Sequence, residues 1–185
     1  METTTPLDEN KENKENKNEF EKENEVLRLI KDKFPETDIE NARVSRRRIF
    51  VLIDSAVFLQ TLEFAAHELG FSHLSTITGI DSLDSFEFLY HISNDNGILM
   101  TLKLKVPRSD DAVISSVLPI YNGATFYEKE LESLLGVKVE GLPEGRQYPL
   151  PDNWPKGQYP LRKDWTPAQK DTAQSGATQK DDTTA

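Results

Sequence analysis

Two alternating stretches joined by an Asn-Gly turn constrain this chain more than any other feature. Phe86, Phe88, Tyr90 and Ile92 alternate with Glu87, Leu89, His91 and Ser93. After Asn94-Asp95-Asn96-Gly97, Ile98, Met100, Leu102, Leu104 and Val106 alternate with Leu99, Thr101, Lys103 and Lys105, and Pro107 ends the run. A period of two sends successive side chains to opposite faces, and Asn-Gly tolerates the positive φ of a tight hairpin. The pattern therefore predicts two half-buried strands whose apolar face must be covered by something else.

The covering elements are legible on either side. Residues 21–33 predict a helix with Val26, Leu27 and Ile30 on one side and Pro35 just beyond its end. Ile39–Val44 and Arg48–Ile53 read as short strands, rich in β-branched and aromatic residues. Asp54 or Ser55 is placed to cap a second helix, with Phe58, Leu62, Ala65, Ala66 and Leu69 at helical spacing and Gly70 as its stop. Leu74–Asp81 is a further strand. Ser109 is expected to cap a short helix over Asp110–Leu118, stopped by Pro119. A last helix over 124–135 carries Tyr127, Leu131, Leu134 and Leu135 as its stripe, and Gly136 ends it. The fold class is α+β: a mixed or antiparallel sheet of about five strands, with helices packed on one face.

The two ends have a different texture. Residues 1–25 hold nine acids and four lysines, half of the formal net charge of -10. The Asn/Glu/Lys tract there lacks the apolar surface that would offset ordering, and the Ala/Thr/Gln-rich end is similar. The expected organisation is a disordered acidic tail over 1–20, an α+β domain over 21–142, an extended arm over 143–165 and a disordered tail over 166–185. The middle of the chain has an ordinary charge, so its acidity does not imply a cationic partner.

Several chemistries are excluded or disfavoured. The chain has no cysteine, which removes disulfides, thiolate catalysis and iron–sulfur ligation by this chain. No apolar run reaches the roughly 20 residues that span a bilayer. The first residues lack the basic start and apolar stretch of a secretory signal. His67, His73 and His91 have no partner ligands at metal-binding spacing. Glu128 and Glu130 are two apart on a helix and point to different sides, so they do not form a proton-transfer pair. Glu128 and Glu132 share a face, but like charges there fit a solvated or partner-facing surface better. Arg46-Arg47-Arg48 is too small a basic patch for nucleic acid on an acidic chain. No phosphate loop, nucleophile elbow or dinucleotide fingerprint is present.

Residues 143–165 hold five of the ten prolines and both tryptophans. Proline removes donors and fixes φ, so regular structure is not expected. Tyr148, Trp154, Tyr159 and Trp165 are larger and more apolar than a solvated linker keeps. The segment either lies on another protein or packs back on its own domain, and the residues alone leave both open.

The stretch from Tyr127 to Trp165 resembles the C subunit of complex I-type NADH–quinone oxidoreductases, a family with homologues in membrane-bound hydrogenases and methanogen dehydrogenases. The resemblance rests on Glu128-Lys129-Glu130, Gly136, Arg146, Asp152-Asn153-Trp154 and Pro160-Leu161-Arg162-Lys163-Asp164-Trp165. The run Leu142–Asp152 is closest in style to archaeal and hydrogenase-linked members, and the upstream element order extends the resemblance over about residues 21–165. It implies a cofactor-free subunit of a membrane-associated oxidoreductase that passes electrons from NADH or a reduced deazaflavin to a quinone or quinone analogue, coupled to ion translocation. An energy-converting hydrogenase subunit is the alternative, and a free-standing adaptor is a reading from another class. A small acid/base enzyme using Glu128 or Glu130 is a third.

The implied partners are a hydrogenase-large-subunit-like D subunit and an iron–sulfur B subunit. The resemblance further implies that iron–sulfur clusters and flavin reside in the partner subunits, and that membrane contact is made only through partners, on the cytoplasmic side. No nucleic acid is expected. The resemblance also favours an intermolecular role for the arm. The partner-binding residues it implies are Glu128, Glu130, Arg146, Trp154, Pro160, Leu161, Arg162, Lys163, Asp164 and Trp165.

Overall fold

A computed structural model describes residues 20–35 and 37–167. The expected tails fall almost wholly outside the described residues. Helix α1 spans Glu21–Lys33, with Glu21 and Glu23 in its first turn and Lys31 and Lys33 in its last, the charge order a helix dipole favours. Strands β1 (Asp38–Ser45) and β2 (Arg48–Ile53) form a hairpin, followed by α2 (Phe58–His67). Next come β3 (His73–Asp81), β4 (Ser85–Ser93) and β5 (Leu99–Pro107).

These strands make one five-stranded sheet in the order β1-β2-β5-β4-β3. The β2–β5 pair is parallel and the other three pairs are antiparallel. The sheet is therefore mixed, within the class that the alternation predicts. The alternating residues are in register: Phe86, Phe88, Tyr90 and Ile92 face Val106, Leu104, Leu102 and Met100 across the β4–β5 ladder. Ile49, Val51 and Ile53 continue the same face on β2. All of these are buried except the half-buried Val106.

The helices lie on that face. Phe58 of α2 packs its ring 4.7 Å from the Tyr90 ring, and Phe34, just past α1, meets Phe64 of α2 edge-on. Helix α3 (Thr125–Leu135) presses Leu131 and Leu135 onto Gly79 of β3, where any side chain would collide with both. Close approach is what requires glycine there. Gly136 ends α3 in the left-handed region at φ 71°, as its place in the sequence predicts.

Two local expectations are corrected. Residues 110–118 are not a helix. Val113–Ser115 form strand β6, which pairs in parallel with β7 (Lys138–Glu140) in a second, two-stranded sheet. Burial alternates there: Ala112 and Ile114 are buried while Val113 and Ser115 are exposed. Adjacent Val and Ile fit an extended pairing better than a short helix. The second helix also has no side-chain cap. Asp54 accepts from the Ala56 amide instead, closing a turn just before α2 begins.

Candidate functional site

The residues singled out in the sequence lie on α3 and the arm that follows it. Glu128 is fully buried on the inward side of α3. Ser116 Oγ donates to one of its oxygens at 2.7 Å and the Val117 amide to the other at 2.6 Å. The carboxylate thus ties α3 to the loop after β6. Burial pushes its pKa up, against the two donors that favour the charged form. The Tyr90 hydroxyl, buried without a partner, is also held protonated by burial and by the negative charge of Glu128. Glu128, expected among the partner-binding residues, is thus turned inward, with both of its oxygens bonded within the domain. Glu130 lies half-buried elsewhere on the helix, and Glu132 accepts from the Val139 amide. The two glutamates of the motif do not meet, as their spacing predicts.

The arm folds back on its own domain. The Leu161 amide donates to the Leu134 carbonyl, and Arg162 Nε donates to the Leu135 carbonyl at 2.7 Å. These carbonyls belong to the last turn of α3, where acceptors are left open and a cation suits the dipole. The Arg162 guanidinium lies 4.6 Å from the Tyr159 ring centroid and 5.6 Å from that of Phe86, and it also donates to Asp110. The Tyr159 ring covers Gly136, filling the place a side chain there would take. Of the two readings the residues leave open, the packed one describes Arg162, Tyr159 and the backbone of Leu161.

A second anchor has no counterpart among the sequence expectations. Asp81, the last residue of β3, has a fully buried side chain. It accepts from the Leu83 amide at 2.8 Å, from Arg108 Nε at 3.1 Å and from the Lys163 amide at 3.0 Å. Arg108 reaches on to Asp164 at 2.7 Å. Burial would raise the Asp81 pKa, but the Lys163 and Leu83 amides and Arg108 outweigh it and hold the pKa below the usual range. One carboxylate thereby joins the β3–β4 turn, the end of β5 and the arm. The available signal is a charged residue at an inward position of a strand, two after Gly79.

The outer side of the arm is more open. Arg146 pairs with Asp152 at 2.8 Å, but both are mostly exposed and the pair contributes little. Trp154 and Trp165 stack with centroids 6.3 Å apart, and both indole N–H groups donate to Gln158. Tyr148 is exposed and packs edge-on against the still more exposed Phe126. Leu161 exposes its side chain, Lys163 and Asp164 are exposed, and Pro160 is half-buried. A cleft of about 320 Å³ opens between α3 and the arm, lined by Lys129, Arg146, Trp154 and Tyr159 among others. Among the described residues, no three His, Asp or Glu side chains are grouped to hold a metal, and no helix is long and apolar enough to cross a membrane.

The sequence profile of the respiratory-chain NADH dehydrogenase 30 Kd subunit matches residues 51–171, most of the domain and all of the arm. The chain belongs to this family. Among its relatives, the C subunit of the F(420)H(2) dehydrogenase of Methanosarcina mazei is 34% identical over 143 residues, covering 76% of this chain and 89% of the relative. The beta subunit of the membrane-bound hydrogenase of Pyrococcus furiosus is 28% identical over 145 residues, covering 75% and 83%. A chain of the membrane-bound sulfane sulfur reductase, an archaeal respiratory membrane complex, shares the fold with a TM-score of 0.69 at 28% identity, covering 78% of this chain and 86% of that one. Family membership extends through the arm, so the hydrogen bonds of Asp81, Arg108 and Arg162 sit within the matched region.

Proposed function

We propose that this chain is a cofactor-free structural subunit of a complex I-like, membrane-associated oxidoreductase. In this reading the complex passes electrons from a reduced coenzyme, a deazaflavin or NADH, to a membrane quinone or quinone analogue, coupled to ion translocation. The observation that carries the proposal is the 34% identity to the C subunit of a dehydrogenase, spanning 89% of that relative. The chemistry of the chain supports a non-catalytic role: it has no cysteine to ligate a cluster, and the buried Glu128 and Asp81 have their oxygens occupied by hydrogen bonds that hold elements together.

The partners in this reading are the hydrogenase-large-subunit-like D subunit and the iron–sulfur B subunit, which carry the redox centres. The subunit reaches the membrane only through them, on its cytoplasmic side. The latch at Asp81 and Arg162 fixes the arm, and the fixed arm offers Arg146, Trp154, Pro160, Leu161, Lys163 and Trp165, with Glu130 of α3, to a partner. A pre-fixed arm loses less entropy on docking than a free one. A second reading, a subunit of an energy-converting hydrogenase, is favoured by the similarity to a hydrogenase subunit across 75% of the chain.

The test is purification of the affinity-tagged chain from its own cells, with the co-purifying proteins identified by mass spectrometry. Subunits of the D and B types, with activity from reduced deazaflavin or NADH to a quinone analogue, support the first reading. Hydrogen evolution by the same preparation selects the second. A chain recovered free of both subunits refutes both.

A further inference from the structure

The helices and arm all contact one face of the five-stranded sheet, and the other face carries a pattern that solvent alone does not explain. On β2 it presents Arg48, Phe50 and Leu52; on β5 Leu99, Thr101, Lys103 and Lys105; on β4 Glu87, Leu89 and His91. Arg43 stands beside Phe50 on β1. Phe50, Leu52, Leu89 and Leu99 are half-buried. A solvated sheet face normally alternates to polar residues, so Phe50, Leu52 and Leu89 toward its middle, with Leu99 at one end, mark an interaction surface.

The charges around that centre run against those of the molecule. The whole chain carries -10, but this face holds Arg43, Arg48, Lys103 and Lys105, with Glu87 on β4 and Asp38 paired to Leu52 at the start of β1 as its acids. Lys103 is neutralised by Glu87 at 2.7 Å. Arg43, Arg48 and Lys105 are exposed and make no ion pair among the described residues. Arg48 lies at one end of the ladder beside Leu99, Lys105 toward the other end, and Arg43 on the edge strand. The result is an apolar centre with cations at its rim.

We infer that the open sheet face is a docking surface for a partner polypeptide that presents carboxylates around an apolar patch. This rests on the reading that the chain is a subunit of a larger assembly, and adds a second contact distinct from the arm. Arginine suits it, because a guanidinium pairs with a carboxylate in a two-pronged geometry. A polyphosphate partner fits poorly, since its charge would meet an apolar centre and a net acidic molecule. Strand spacing sets the scale: five strands about 4.8 Å apart, over about 20 Å of strand, give roughly 400 Å². That is about half of the roughly 800 Å² that a stable interface buries on each partner. The face therefore works together with another contact, and the arm, packed on the opposite side, is available for that.

The experiment uses the intact complex isolated through the tagged chain. A zero-length carbodiimide reagent joins amines to carboxylates already in ion-pair contact. It is expected to link Lys105 to an Asp or Glu of another subunit, with the Lys103–Glu87 link as internal control. The R43E/R48E double variant, whose fold is checked by thermal unfolding, is expected to lower recovery of the chain in the complex about tenfold, with a steeper dependence on salt. No inter-subunit link at Lys105, together with wild-type recovery of R43E/R48E at low and high salt, overturns the inference. So does binding to phosphatidylglycerol vesicles or to RNA that depends on these residues without any inter-subunit link. If R43E/R48E assembles normally while W154A/L161A does not, the face fails and the arm stands; the opposite result refutes the arm and keeps the face.

Discussion

Replacing Asp81 by Ala removes a group that binds three separate parts of the chain. The carboxylate accepts from the Leu83 and Lys163 amides and from Arg108 Nε, all within 3.1 Å, with its side chain fully buried. Hydrogen bonds to a charged group contribute about 1.5–3 kcal/mol each. Arg108 keeps Asp164, so the loss is smaller than three such bonds and is placed at about 3–5 kcal/mol, the usual cost of breaking a buried pair. For a domain of this size the midpoint should fall by on the order of 10 °C. The assay reports the arm directly, since the two tryptophans of the chain, Trp154 and Trp165, are both on it. Emission should shift to the red in D81A before the far-ultraviolet circular dichroism melts. The depressed Asp81 pKa adds a sign. Its contribution is fully present above the ordinary carboxylate pKa and lost as pH falls through the lower folded value. Wild-type emission should therefore shift in acid, below the usual carboxylate range, and the D81N shift should not follow that titration. A D81A protein within about 1 kcal/mol of wild type, with unchanged emission, would refute the latch.

Glu128→Ala should cost about 1–3 kcal/mol by leaving the Val117 amide unsatisfied in the interior, measured by urea unfolding. Glu128→Gln keeps an acceptor. Because burial raises the Glu128 pKa, the wild-type contribution is fully present below the ordinary value and lost as pH rises through the folded one, so E128Q should be at least as stable as wild type at neutral pH and should lack that loss. Tyr90→Phe should be neutral or stabilising, since the buried hydroxyl has no partner and faces the charge of Glu128; a loss above about 1 kcal/mol would contradict this. Cutting the chain after Val139 uncovers Gly136 and removes the Arg162 stack from Phe86, so the truncated domain should melt well below wild type; an unchanged melt would mean that the arm contributes nothing to the fold.

Period and punctuation in the sequence carry the main sheet. The β4–β5 ladder, α1 over Glu21–Lys33 and the stop at Gly136 follow from alternation, helical spacing and a left-handed glycine. Residues 110–118 mislead because a run that short fits either period, and pairing with the distant Lys138–Glu140 decides it. The motif residues of the arm are visible as a motif, but their direction is not. Arg162 looks the same in sequence whether it faces a partner or the end of α3. Asp81 escapes sequence reasoning because its three donors come from its own turn, from the residue after β5 and from Lys163, a convergence that only the assembled sheet creates.

The central claim, that this chain is a subunit of a complex I-like oxidoreductase, is tested most directly by native electrophoresis of solubilised membranes with activity staining. The account predicts that the chain, followed by antibody, runs in one large band with subunits of the D and B types, and that this band reduces a dye when given reduced deazaflavin or NADH. A chain that migrates alone, apart from every dehydrogenase- or hydrogenase-active band, would contradict it.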